Sequence, residues 1–227
     1  MKTNRVAVAG NGQAAEILLD YLSDDERYEV VAVIVDQSSE VDDKQTHCGL
    51  PLMSVDEYIA NDFLQTDGVF MAVGYRNLNR DRDEFFRRLR KRGVNFLTYV
   101  HPRANVSNSV QLGIGSVVLA GSVLEPFVKV GDDSIIWNNC TIAHHAVIGD
   151  SCWIAAGAII SGHARVERNC FVGIGSIVTN RVTIGELSIL GAGVLATRNV
   201  SPQSVLIANS SGRLNFTSER YEPFLHD

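Results

Sequence analysis

The chain carries two different rhythms of apolar and polar residues. Up to about residue 100, short apolar runs alternate with longer segments of helical spacing. "NRVAVAG" (4–10) is an apolar strand running into glycine, and "QAAEILLDYL" (13–22) puts Ala15, Ile17, Leu18 and Leu22 on one side of a helix. "YEVVAVIVD" (28–36) and "TDGVFMAVG" (66–74) are further buried strands. "LNRDRDEFFRRLRKRG" (78–93) is an amphipathic helix ended by glycine, and "VNFLTYV" (94–100) is a last strand. Strands alternating with helices predict a parallel sheet with crossover connections, here a small Rossmann-like α/β domain over residues 1–102.

His101-Pro102 breaks that pattern, because the residue before a proline is pushed out of helical geometry. Beyond it the period becomes six. From Val106 to Leu190, every sixth residue is Val, Ile or Leu, fifteen positions in succession. Two residues before each of these stands mostly a small one, such as Ser122, Ser134, Cys140, Ala146 or Cys152. Glycine follows the aliphatic residue at 113, 131, 149 and 185, a spacing of eighteen that only Glu167 interrupts. Three hexads therefore make one coil. The pattern predicts a left-handed parallel β-helix over residues 103–200, with about five coils and a short tail at 201–227. A single coil cannot bury its apolar face, so stacking must supply the stability.

That register changes the reading of the four cysteines. Cys140, Cys152 and Cys170 fall on the small inward position and are expected to be core packing; none of the four forms a CxxC pair with metal-type spacing. Twenty-six acidic residues against twenty basic ones give a net charge of −6, which argues against a nucleic-acid or anionic-membrane partner. The densest basic run, "RRLRKR" at 87–92, reads as a solvated helix end. No apolar run approaches the roughly 20 residues of a membrane span, and "MKTNRVAVAG" is unlike a signal peptide, so a cytoplasmic location is expected.

Hexads such as "VKVGDD", "AVIGDS" and "VTIGEL", joined to a domain opening "VAVAGNGQAAEIL", resemble the hexapeptide-repeat acyltransferases that N-acetylate nucleotide-linked amino sugars, close to a sialic-acid O-acetyltransferase-like group. The resemblance implies a homotrimer with sites between adjacent β-helices, acetyl-CoA as donor, no metal cofactor, and a nucleotide-linked amino sugar on the N-terminal domain, in surface polysaccharide biosynthesis. Matching "IAHHAVIG" through its shared "VIG" implies that His144 is the general base. In many relatives the next residue is a carboxylate; here it is His145.

In register, Ile142 points inward, so Ala143, His144 and His145 turn a corner with side chains facing out. An imidazole titrating near neutrality can accept the proton of an attacking amine. The competing reading is two polar residues decorating a corner. By resemblance, the Gly162 N–H stabilises the oxyanion, and Gly162, Ile174, Gly191 and Gly193 line the CoA path. Arg181, Arg198 and Arg213 are candidate phosphate partners. One coil away, Glu125 is a candidate to orient an imidazole. His163 either contacts substrate or stacks. A zinc site built from His144, His145 and His163 is a rival, but the second histidine pair of zinc-binding β-helix trimers is missing.

In the N-terminal domain "AGNGQAA" carries Gly10, Asn11, Gly12 and Gln13, with Ala15 where a dinucleotide fingerprint has its third glycine, and Asp36 ends the next strand. The domain is small, so this loop is assigned to the nucleoside or diphosphate of a sugar nucleotide rather than to NAD. A tight turn that needs glycine is the alternative. Gly74, Tyr75 and Asn77, after the third apolar strand, are further candidates, as is Asn138 at a coil corner. The expected activity is acetyl-CoA-dependent N-acetylation of a nucleotide-linked aminodideoxy sugar. O-acetylation of a sialic-acid-like sugar and a non-enzymatic trimeric binding protein are the alternatives.

Overall fold

A computed structural model describes residues 3–36, 46–61 and 65–209. The N-terminal sheet contains β1 (Asn4–Ala9), β2 (Tyr28–Val35), β3 (Thr46–His47), β4 (Leu50–Ser54) and β5 (Gly68–Met71), in the order β3-β4-β2-β1-β5. All neighbours are parallel except the β3–β4 hairpin. Alternation along β1 divides the core: Val6 and Val8 face α1 (Gln13–Ser23), while Ala7 and Ala9 face α2 (Val55–Ala60) and α3 (Arg80–Lys91). A sheet covered on both faces explains why its strands read as continuous apolar runs. The α2 helix, absent from the periodicity reading, begins with a capping box in which Ser54 and Glu57 satisfy each other's backbone N–H groups.

Eighteen two-residue strands then follow, from β6 (Tyr99–Val100) to β23 (Val205–Leu206), stacked in parallel sheets of six, five and seven strands. Partners lie eighteen residues apart, as in Val123 with Thr141 and Thr141 with Ile159. Three parallel sheets stacked in such repeats fit a left-handed β-helix. The inward aliphatic residues Ile136, Ile142, Ile154 and Ile160 are fully buried. The small inward positions do more than leave space. The Ser122, Ser134 and Ser176 hydroxyls each donate to the carbonyl fifteen residues on, and so do the thiols of Cys140, Cys152 and Cys170. Burial pushes the Cys140 thiol up to about 11, so it is held as an inert thiol.

The domain boundary differs from the expected one. "VNFLTYV" is not one strand: Phe96 bridges to Val69 in the N-terminal sheet, whereas Tyr99–Val100 already pairs with Val117–Val118 of the β-helix. Val100 lies six residues before Val106, so the hexad register itself starts there. At the other end Val205–Leu206 pairs with Ile189–Leu190, which extends the stack past residue 200 to six coils.

Each hexad also places one corner residue in the left-handed backbone region, from Gly115 through Phe127, Asp133, His145 and His163 to Gly193. The three helix faces differ sharply outside. One presents Val117, Ile135, Trp153 and Phe171 to α1 and is covered by the N-terminal domain. A second presents Gln111, Lys129 and Arg165 to solvent. The third carries Val123, Thr141, Ile159, Ile177 and Leu195, with Ile159 and Leu195 exposed.

Candidate active site

The histidines sit on the edge between the polar face and the exposed aliphatic face, at the corner joining β13 (Thr141–Ile142) to β14 (Val147–Ile148). His145 occupies the left-handed position with φ 60°, a conformation in which His is among the tolerated non-glycine residues. Its neighbour His144 is thereby turned over the next coil, where its ring rests on Gly162. A Cβ added to Gly162 would meet His144 Cε1 at 2.8 Å and Nε2 at 2.9 Å, so glycine is required for the ring to lie there. The His144 Nδ1 lies 3.3 Å from His145 Nδ1, a contact in which one nitrogen donates and the other accepts. One coil on, the His163 ring stacks on His145 with centroids 4.8 Å apart and planes 14° apart, and it meets His144 edge-on. Phe127 packs on the other side of His145.

Glu125 does not orient an imidazole. Its carboxylate accepts the His144 backbone N–H at 2.8 Å, the same latch that Glu167 makes to the Glu186 N–H. The partner of the His144 ring is instead His145. The His163 pKa is lowered from its ordinary value, first by partial desolvation against the neighbouring rings and then by the nearby His145, Arg181 and His144. The Gly162 carbonyl accepts from Arg181 N–H, while its own N–H has no acceptor among the described residues.

Ile174, Gly191 and Gly193 lie on a different edge, where the aliphatic face meets the face covered by the N-terminal domain. Within one chain they are therefore separated from His144 and Gly162 by the whole exposed aliphatic face. Arg213 lies outside the described residues.

In the N-terminal domain a cavity of about 330 Å³ is lined by Gly10, Asn11, Gly12, Asp36, Gly74 and Arg76, together with Val35, Val73, Asp81 and Phe85. Gly10 has φ 118° and stands where a Cβ would meet the Ala72 carbonyl oxygen at 2.8 Å, so it is fixed as glycine. Gly12, which lines the cavity, caps α1 without any side-chain acceptor, and the Gln13 and Ala14 N–H groups beside it have no acceptor among the described residues. Gln13 opens α1 but does not line the cavity. Asp36 does, and its carboxylate is ion-paired with Arg88.

The remaining candidates have contacts within this chain, two of them between the domains. Tyr75 packs on Trp153 and Phe171 of the β-helix, Asn77 donates to Asp81, and Asn138 donates to the Tyr21 hydroxyl of α1 at 2.7 Å. The strongest docking group was not singled out in the sequence. Arg82 is fully buried and donates to Asn79 Oδ1, Asp133 Oδ2 and the Cys152 carbonyl. Ser151, Asp83 and Arg168 complete that cluster. In the sequence Arg82 is one charge among many in "NRDRDE", with nothing local to mark it as buried. Nor is the basic run after it free: Arg87, Arg88, Arg90 and Arg92 all pair with carboxylates.

Residues 109–144 match the family model for the bacterial transferase hexapeptide (six repeats), and residues 128–161 and 163–198 match that for the hexapeptide repeat of succinyl-transferase. The β-helix thus carries the hexapeptide repeat of bacterial transferases between residues 109 and 198. Among solved structures it resembles PerB from Caulobacter crescentus, crystallised with CoA and GDP-perosamine, at 27% identity and a TM-score of 0.79, over 91% of this chain and 95% of that one. The acetyltransferase domain of PglB from Neisseria gonorrhoeae has the same fold at 22% identity and a TM-score of 0.79, over 93% and 100% of the two chains. WeeI from Acinetobacter baumannii shares it at 20% identity and a TM-score of 0.68, over 89% and 96%. A search of curated protein sequences finds no match. These solved structures thus share the fold of this chain over about nine-tenths of its length. No helix among the described residues is long and apolar enough to cross a membrane.

Proposed function

We propose that this protein is an acetyl-CoA-dependent N-acetyltransferase acting on a nucleotide-linked aminodideoxy sugar, with His144 as general base. The observation that carries this reading is the His144 ring lying on Gly162 with its Nδ1 beside His145 Nδ1. A neutral imidazole has one N–H and one lone pair. When His144 donates its Nδ1–H to His145 Nδ1, the lone pair is on Nε2, free to take the proton that the sugar amine loses as it attacks the thioester carbonyl. Collapse of the tetrahedral intermediate breaks the C–S bond and releases CoA thiolate, which takes up a proton. His145 thus fills the place of the carboxylate that follows the base in many relatives, and the Gly162 N–H is a candidate donor to the oxyanion.

The N-terminal cavity suits the nucleotide. The α1 N-terminus offers unpaired N–H groups to a diphosphate, and Asp36 is placed to accept from a ribose or base. PerB, the relative solved with GDP-perosamine, supports this class of acceptor. The covered face and the histidine edge lie on different sides of one β-helix, so the reading needs a second copy on the exposed aliphatic face. In a homotrimer the edge with Ile174, Gly191 and Gly193 meets the neighbour's histidine edge and forms the CoA groove.

The test is His144→Asn, assayed with acetyl-CoA against UDP-, dTDP- and GDP-linked amino sugars. The turnover number is expected to fall by roughly 10²–10⁴ while acetyl-CoA binding is kept. Turnover close to that of the unaltered protein would remove His144 as the base.

A further inference from the structure

We infer that His144, His145 and His163 form a binding site for a divalent transition cation of the zinc type, and that its occupancy shuts off acetyl transfer. The three imidazoles come from one chain, on two successive coils of one edge, and each can offer a nitrogen within 4.8 Å of the others. Tetrahedral zinc with nitrogen ligands at about 2.0–2.1 Å spaces them about 3.3 Å apart. The His144 and His145 Nδ1 atoms already stand at 3.3 Å. The His145 and His163 rings are stacked with planes 14° apart, so closure takes a turn of the His163 ring out of that stack, which its exposure to solvent allows. The fourth position is left to water or a substrate group.

Two features hold the trio together. The left-handed backbone at His145 and at His163 (φ 59°) repeats every coil and stacks their rings in one column. The Glu125 latch on the His144 N–H fixes the corner and adds a negative charge beside it, against the positive charge of Arg181 on the far side. Neutral imidazole nitrogens are ligands for zinc, copper and nickel rather than for magnesium or calcium, which defines the class of ion.

The consequence for turnover follows from electron counting and rests on the function proposed above. A neutral imidazole has one lone pair. Once His144 gives it to a metal, its other nitrogen carries the proton and nothing remains to accept one from the amine. The cation is thus an inhibitor that competes with protonation of the base, and His163 supplies one of its ligands.

The test uses the full chain, freed of metal by a chelator, titrated with zinc chloride by calorimetry and with cobalt chloride by visible absorption. One ion per chain and the intense absorption of four-coordinate cobalt are expected. His163→Asn, which keeps a residue tolerated in the left-handed region, is expected to weaken binding by at least about tenfold with the fold unchanged. Zinc should also arrest acetyl transfer over the concentration range in which it binds, and chelator should restore it. Absence of binding, or binding of equal strength in His163→Asn, would overturn the site. Binding with full turnover would overturn the inhibition alone. Binding by a protein that acetylates no amino sugar would leave the site standing and sink the function proposed above.

Discussion

Two edges of the β-helix share one backbone and have opposite chemistry. On the first, the left-handed corner residues Phe127, His145 and His163 are exposed, and their side chains touch mainly one another. On the second, the residues at the same step of the hexad are Asp133, Ser151 and Asn169, all buried. The difference comes from what covers them. The second edge lies under α3, whose Arg82, Asp83 and Asn79 take up its hydroxyl, carboxylate and carbonyl groups. Polar groups there are used to hold two domains together. Among the described residues nothing covers the first edge in this way, which leaves its nitrogens exposed. A repeating coil supplies identical positions, and the neighbouring layer decides which of them are taken up in holding the domains together.

The largest effect that tests this contrast belongs to the covered edge. Arg82→Met leaves the Asp133 carboxylate buried without its cation and is expected to cost about 3–5 kcal/mol of stability, measured by denaturant unfolding. The same experiment on His144→Asn should change stability by less than about 0.5 kcal/mol. A comparable loss at both edges would erase the distinction.

The next largest effect is in pH. Burial raises the Asp133 pKa from 3.8 to about 6, against the opposing pull of Arg82 and the Ser151 hydroxyl. The folded protein therefore holds this proton more tightly than the unfolded chain does. The stability it contributes is fully present below the unfolded pKa and is lost as pH rises from about 4 to about 6. The contribution is up to about 3 kcal/mol over that range. Asp133→Asn should flatten the slope; a slope unchanged in that variant would place the titration elsewhere.

Gly162→Ala has the smallest effect on folding and acts on the exposed edge. Its Cβ would meet the His144 ring at 2.8 Å and displace it. Turnover should fall on the order of tenfold to a hundredfold with little change in unfolding. Unchanged turnover would mean that the position of the ring over Gly162 is not used.

Legibility in the sequence followed how local each cause was. The six-residue step from Val106 to Leu190 is a repeated local constraint, since each inward residue faces the same narrow interior, and it forecast the coil, its register and the cysteines as packing. The N-terminal strands were legible for a similar reason, being buried on both faces. The ends of the β-helix were missed because Tyr99–Val100 and Val205–Leu206 had been given to neighbouring segments, although Val100 keeps the step. Asn138, Tyr75 and Asn77 were singled out as substrate contacts from corner and loop position, and their contacts with Tyr21, Trp153 and Asp81 were not legible there.

By itself the sequence determined the fold class of the second half and the outward position of both histidines. Each follows from spacing along the chain. Only the tertiary structure decided which partner each polar group takes. It gave Glu125 to a backbone N–H, set His145 beside the His144 ring, brought His163 into the same cluster, and buried Arg82 against Asp133 across fifty-one residues. The eighteen-residue spacing tells which coils are neighbours, but which atoms pair, and which helix of the other domain lies over an edge, depends on side-chain geometry and packing in space.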